Sequence, residues 1–135
     1  MIGKESQNTQ LIFARPVKGF WVLFFKTLFV ITTIVVIYES LEPSESSTVH
    51  DRLDKIVHFG AYFILVCLAA LAFPKARLRH IVGAMILLGT VLEGAQGLMG
   101  LGRTASVGDL IANSLGALLP ALSWVGCIRL SLIHI

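Results

Sequence analysis

Among mostly aliphatic side chains, a small set of polar and ionisable residues recurs at helical spacing: Asp54, His58 and Tyr62, then Glu93 and Gln96, then Arg103, Ser106, Asp109 and Asn113. Residues three or four apart share one helical face, so each group presents its polar atoms together. A charged side chain deep in a membrane helix costs about 2.5 kcal/mol or more unless it is paired or hydrated. Glu93 and His58 are therefore the residues that most need a reason. His58 and Arg103 are the expected partners of Glu93, and Glu93 and His58 are the candidate acid and base of any reaction. Arg103, reached through the glycine-rich stretch 97–102, suits a two-pronged grip on a phosphate or carboxylate.

Other chemistries fit these residues less well. A metal centre draws on several imidazole, thiolate or carboxylate ligands, and His58 is the one imidazole near the carboxylates, so no metal site is expected. Ser106 lacks the G-x-S-x-G setting of an activated serine. It instead opens an S-x-x-D pattern before an apolar run, which reads as a helix cap closed by Asp109. Asn113 needs nothing beyond a hydrogen bond to a neighbouring helix, a contribution averaging about 0.6 kcal/mol. Asp51 reads as an N-cap and Asp54 as a charge complementing the helix dipole. Cys67 and Cys127 both lie in apolar runs, so no disulfide is expected, and there is no cofactor-binding motif.

The elements that must position these groups are long and apolar. The chain has 135 residues, of which 56% are hydrophobic and 14% charged, far from the roughly 25% charge of an ordinary soluble domain. A bilayer core of about 30 Å takes about 20 residues of helix, and four runs approach that length: 19–38, 56–73, 81–99 and 110–130. None alternates with period 2, which disfavours a barrel. The expected fold is all-α, a polytopic membrane protein with a four-helix bundle, in which residues 1–18 form a cytoplasmic segment and 19–135 the transmembrane domain. The first run is longer than the apolar core of a signal peptide, no A-x-A site follows it, and an acidic loop at 39–45 comes next, so it is expected to stay.

Charge sets the orientation. Lys4, Arg15, Lys18, Lys75, Arg77, Arg79 and Arg129 fall at one set of span ends and Arg52, Lys55 and Arg103 at the other, which places both termini in the cytoplasm. Lys26 lies within the first span, where its stem can reach back to the interface. The net charge of +3 does not gather into a stripe with exposed aromatics, so no nucleic-acid partner is expected. Glu93, about 18 Å along its helix from Ile81, then comes level with His58 and Asp109 near the outer face. Gly108, Ala112, Gly116 and Pro120 form a small-residue stripe on the last run, and Pro120 is expected to bend it.

The pattern Asp54-Lys55-x-x-His58-Phe59-x-x-Tyr62, Glu93-x-x-Gln96, Arg103-x-x-Ser106-x-x-Asp109 and Ala112-Asn113-x-x-Gly116 closely resembles the VanZ-like family of bacterial membrane proteins. It spans three helices and about half the chain, with departures around Ala105 and at Pro120. The resemblance implies a multi-pass protein of the bacterial inner membrane. The family's namesake is associated with low-level resistance to the glycopeptide teicoplanin. The residues and the resemblance leave three roles open: a pocket for an anionic amphipathic or lipid-linked envelope ligand, an enzyme acting on a lipid-linked envelope precursor, or a structural membrane protein assembling with partners.

Overall fold

The structure is a computed structural model that describes the backbone of residues 2–42, 48–99 and 105–133 and the side chains of 19–42, 53–99 and 105–123. Four helices follow one another: α1 (Ile2–Leu41), α2 (Thr48–Ala72), α3 (Leu78–Met99) and α4 (Val107–Ile133). Among the described residues there is no strand, in keeping with the all-α expectation. The segments Gly19–Leu41, Leu53–Ala72 and Leu78–Met99 are long and apolar enough to cross a membrane. The fourth expected span lies within α4 but runs past the described side chains. Its described apolar part, Val107–Ser123, is shorter than the other three.

The boundaries differ from the sequence expectation where polar residues continue a helix. Hydropathy starts the second run at residue 56, yet α2 begins at Thr48, so Asp51 lies inside the first turn and is not the N-cap. Helix α1 likewise runs through Glu39 and Ser40 to Leu41, residues expected in a loop, with the Glu42 amide still donating to the Tyr38 carbonyl at 3.0 Å. Helix α4 continues through Pro120 to Ile133.

Helix α2 is the hub, packing against each of the other three, with α4 as its most extensive neighbour. Its buried residues Tyr62, Leu65, Val66 and Ala69 recur at intervals of three and one, the stripe of an amphipathic helix. They meet Ile81, Val82 and Met85 of α3 and Ala117 of α4, with Phe29 and Val36 of α1 against the cluster. The opposite faces stay apolar as well: Phe20, Ile34, Ile56, Leu87, Leu98 and Leu115 are exposed, Leu98 to 90%. So much exposed hydrocarbon around a helix bundle suits lipid as the surrounding solvent.

Hydroxyls on these surfaces return to their own backbone. Thr27, Thr33, Thr90 and Ser114 each donate to the carbonyl one turn earlier, at 3.1, 2.8, 2.9 and 2.8 Å. That keeps them satisfied without water. The turn between α2 and α3 carries exposed Lys75 and Arg77, and the start of α3 adds exposed Arg79. The Lys26 ammonium lies 5.6 Å from the centre of the Phe73 ring, beside that basic turn. Its stem therefore reaches toward the basic end, adding a cation–π contact there.

Candidate functional site

At the end of the bundle opposite the basic turn, the side chains change character. His58, Glu93, Gln96, Asp109 and Asn113 are all buried, and Ser40 of α1 is buried with them. The site is assembled by three interlocking pieces of local structure.

The first is the start of α4. Ser106 caps it: the Asp109 amide is shared between the Ser106 carbonyl at 3.1 Å and the Ser106 Oγ at 3.3 Å, and the Leu110 amide donates to the same carbonyl at 3.1 Å. In a capping box the acidic residue three positions on would accept the cap's own amide. Here the Ser106 amide donates to the Glu93 carboxylate of α3 instead. A neighbouring helix thus completes the cap, and Asp109 is released from that duty. Its Oδ1 lies 3.9 Å from the Lys55 ammonium of α2.

The second piece ties α3 to α1, through a hydrogen bond from Gln96 Nε2 to the Ser40 carbonyl. The third joins α2 to α4. His58 Nδ1 is 3.0 Å from Asn113 Oδ1, and His58 Nε2 is 3.8 Å from Asp54 Oδ1, one turn earlier on its own helix. Tyr62, 1% exposed, lies one turn further in, and its hydroxyl has no hydrogen-bond partner among the described residues.

Close helix approach makes these contacts possible, and glycines permit it. A Cβ at Gly116 would overlap the Phe59 carbonyl of α2, and one at Gly108 would come within 2.6 Å of the Lys55 side chain. At Gly89 a Cβ would stand 3.1 Å from Asn113 Nδ2 and 3.2 Å from Tyr62 Cζ, a tight fit in which those side chains would have to give by a few tenths of an ångström. The small-residue stripe of α4 faces α2 as its spacing implied.

Eight sequence-selected residues, Asp54, His58, Tyr62, Glu93, Gln96, Ser106, Asp109 and Asn113, contribute to this end of the bundle. Arg103 lies outside the described residues. The expected pairing of Glu93 with Arg103 therefore lies outside the described residues, and His58 meets Asn113 and Asp54. The contact drawn for Glu93 is a backbone amide, while Asp109 faces Lys55. Ser40 and Gly89 were not foreseen. Pro43, which tends to end a helix just beyond α1, was the available signal that Ser40 stays helical. Nothing local marks Gly89.

Chemically, the layer offers an imidazole held between an amide and a carboxylate. The donor atoms of Asp54, His58 and Asp109 all lie within 4.8 Å of one another. The distribution of these groups over α2, α3 and α4 matches the pattern of the resemblance. A family model described as VanZ/LLP1 matches residues 3–129. The chain belongs to the VanZ/LLP1 family. That match takes in α1 as well, which the quoted pattern did not cover. No curated protein and no solved structure matches the chain. Family membership and the apolar spans make it a VanZ-like membrane protein.

Proposed function

We propose that this VanZ-like chain is a multi-pass protein of the bacterial cytoplasmic membrane. Its polar end opens outward and binds the anionic head of an amphipathic cell-envelope ligand. The observation that carries this reading is the buried layer of His58, Glu93, Gln96, Asp109 and Asn113, drawn from three helices to one level of an otherwise apolar bundle. Groups this costly in hydrocarbon call for a common purpose. Carboxylates outnumber cations among the described members, so the anionic head is met at the mouth by Lys55, with Arg103, which lies outside the described residues, as the further cation that engages it. The tail lies along the exposed apolar faces of the helices. Through the family's namesake, the ligand is an envelope component whose handling affects glycopeptide susceptibility of the teicoplanin type.

Native mass spectrometry of the chain extracted in mild detergent tests this. Wild type should retain an anionic lipid that Arg103→Ala and Glu93→Gln lose while remaining folded. Unchanged lipid retention and an unchanged envelope phenotype in both variants would sink the proposal. Turnover of an isolated polyprenyl-linked or phospholipid substrate by wild type, abolished in His58→Ala, would replace binding by catalysis.

A structural reading is favoured by one observation: Glu93 and Gln96 both bond to the backbone of other helices. These two residues then act as helix ties, leaving Asp54, Lys55, His58 and Asp109 as the groups that face a guest.

A further inference from the structure

The basic end of the bundle carries charge that the residues around it leave unbalanced. No Asp or Glu occurs in residues 6–38 or 56–92, the stretches that hold Lys26, Lys75, Arg77 and Arg79. All four cations are exposed, and none pairs with a carboxylate among the described residues. From Asp54 to Ala72 helix α2 rises about 27 Å, so the acidic residues of the opposite end lie several screening lengths of about 8 Å away. This end calls for an anion from its surroundings.

Three of these cations share one corner. The Lys26 ammonium of α1 stands 5.6 Å from the centre of the Phe73 ring, just past the end of α2. Phe73 opens a tight turn: the Ala76 amide donates to the Phe73 carbonyl at 2.9 Å, which keeps the two Cα atoms within about 7 Å. Lys75 lies inside that turn and Arg77 directly after it, where the Arg77 carbonyl accepts from the His80 amide at 2.9 Å as α3 begins. Two ammonium groups and a guanidinium are thus gathered beside Phe73, an aromatic ring that is itself partly exposed. The sequence could not pair Lys26 with this turn, because the pairing depends on how α1 packs along α2.

Depth decides the class of anion. The Lys26 backbone lies about 10 Å along the span that begins at Gly19, below the level a soluble acidic partner reaches. Trp21 packs against Phe24 and Phe25 with ring centres 5.8 and 6.2 Å apart, an aromatic belt of the kind that sits at headgroup level. Phe29 then meets Phe73 edge-on at 5.8 Å. A phospholipid joins an anionic phosphate to apolar chains at this same boundary, which matches both the cations and the hydrocarbon beside them. We propose that the corner of Lys26, Phe73, Lys75 and Arg77 binds one anionic phospholipid of the phosphatidylglycerol class. Its phosphate sits between Lys26 and the turn, and its chains lie along the exposed apolar surface of α1. The site is at the opposite end from the polar layer, so its failure would leave the envelope-ligand proposal standing.

The test reconstitutes the full chain, carrying Trp124→Phe so that Trp21 alone supplies the tryptophan emission, into phosphatidylcholine vesicles. Part of the lipid is replaced by chain-brominated phosphatidylglycerol or by chain-brominated phosphatidylcholine. Bromine quenches Trp21, which lies about 8 Å along α1 from Lys26, and competition between the two lipids gives their relative affinity. The chain should prefer the anionic lipid about fivefold, the effect of one cation at a charged surface. Lys26→Gln, and Lys75→Gln with Arg77→Gln, should each abolish most of that preference, and Lys26→Arg should keep it. These side chains are exposed, so the variants leave the core intact. Arg52→Gln, near the other end of α2, should leave the preference unchanged. Equal affinity for the two lipids would overturn the proposal and leave the corner to a soluble acidic partner. A preference that survives Lys26→Gln, or that falls as far in Arg52→Gln, would overturn it as well.

Discussion

The two halves of this bundle are held together by different means. Around Leu65, Val66, Ala69, Ile81, Val82 and Met85 the described residues of the helices meet through apolar side-chain packing, with Lys26 and the basic turn outside it. Around His58, Glu93, Gln96, Asp109 and Asn113 they meet through hydrogen bonds and an ion pair that cross between helices. In lipid the apolar half has no hydrophobic drive to assemble, since tails are as apolar as leucine, and depends on fit. The polar half costs more to place in hydrocarbon and supplies direction: each helix has a specific partner atom. The comparison teaches that glycine fit sets the distance between α2 and α4, while the polar layer sets which groups face one another.

The comparison breaks most severely if the fit is spoiled. Gly116→Val would push β-carbon bulk into the Phe59 carbonyl, a backbone atom that cannot turn away. Overpacking of this kind costs about 1–3 kcal/mol and occasionally more. The expected outcome is loss of the monodisperse folded chain in detergent, read by size exclusion and thermal unfolding. A variant as stable as wild type would show that α2 and α4 do not approach closely there.

Next comes the tie between α3 and α4. Glu93→Leu strands the Ser106 amide and should cost about 1–3 kcal/mol, whereas Glu93→Gln keeps an acceptor and should cost about half as much. Equal losses would mean that the carboxylate is not capping α4. Asn113→Ala should be milder, about 0.6 kcal/mol by the average for interhelical hydrogen bonds. Leu98→Ala, at a position 90% exposed, should change stability by less than about 0.5 kcal/mol by the same unfolding assay.

Much of this was legible in the sequence because periodicity survives without tertiary information. The apolar runs located the helices, and the i, i+4 spacing of Asp54 with His58 and of Asp109 with Asn113 placed their polar faces correctly. Helix ends were less legible, since Thr48 to Lys55 is too polar to score as part of a span although it is helical. That Asn113 bonds a neighbouring helix was legible, but which atoms meet was less so. That Glu93 meets the Ser106 amide depends on how far α3 and α4 slide past one another, and nothing local encodes that offset. Gly89 shows the same limit: the tight fit around it appears only once Asn113 and Tyr62 are set against it.

The most direct check on the functional account is whether the polar layer opens to the external face. A chain carrying Lys55→Cys, with Cys67 and Cys127 replaced by alanine, would be treated in intact spheroplasts with a membrane-impermeant maleimide. The account predicts labelling without permeabilisation. Labelling that requires the membrane to be opened first would place the layer on the cytosolic side and contradict an envelope ligand.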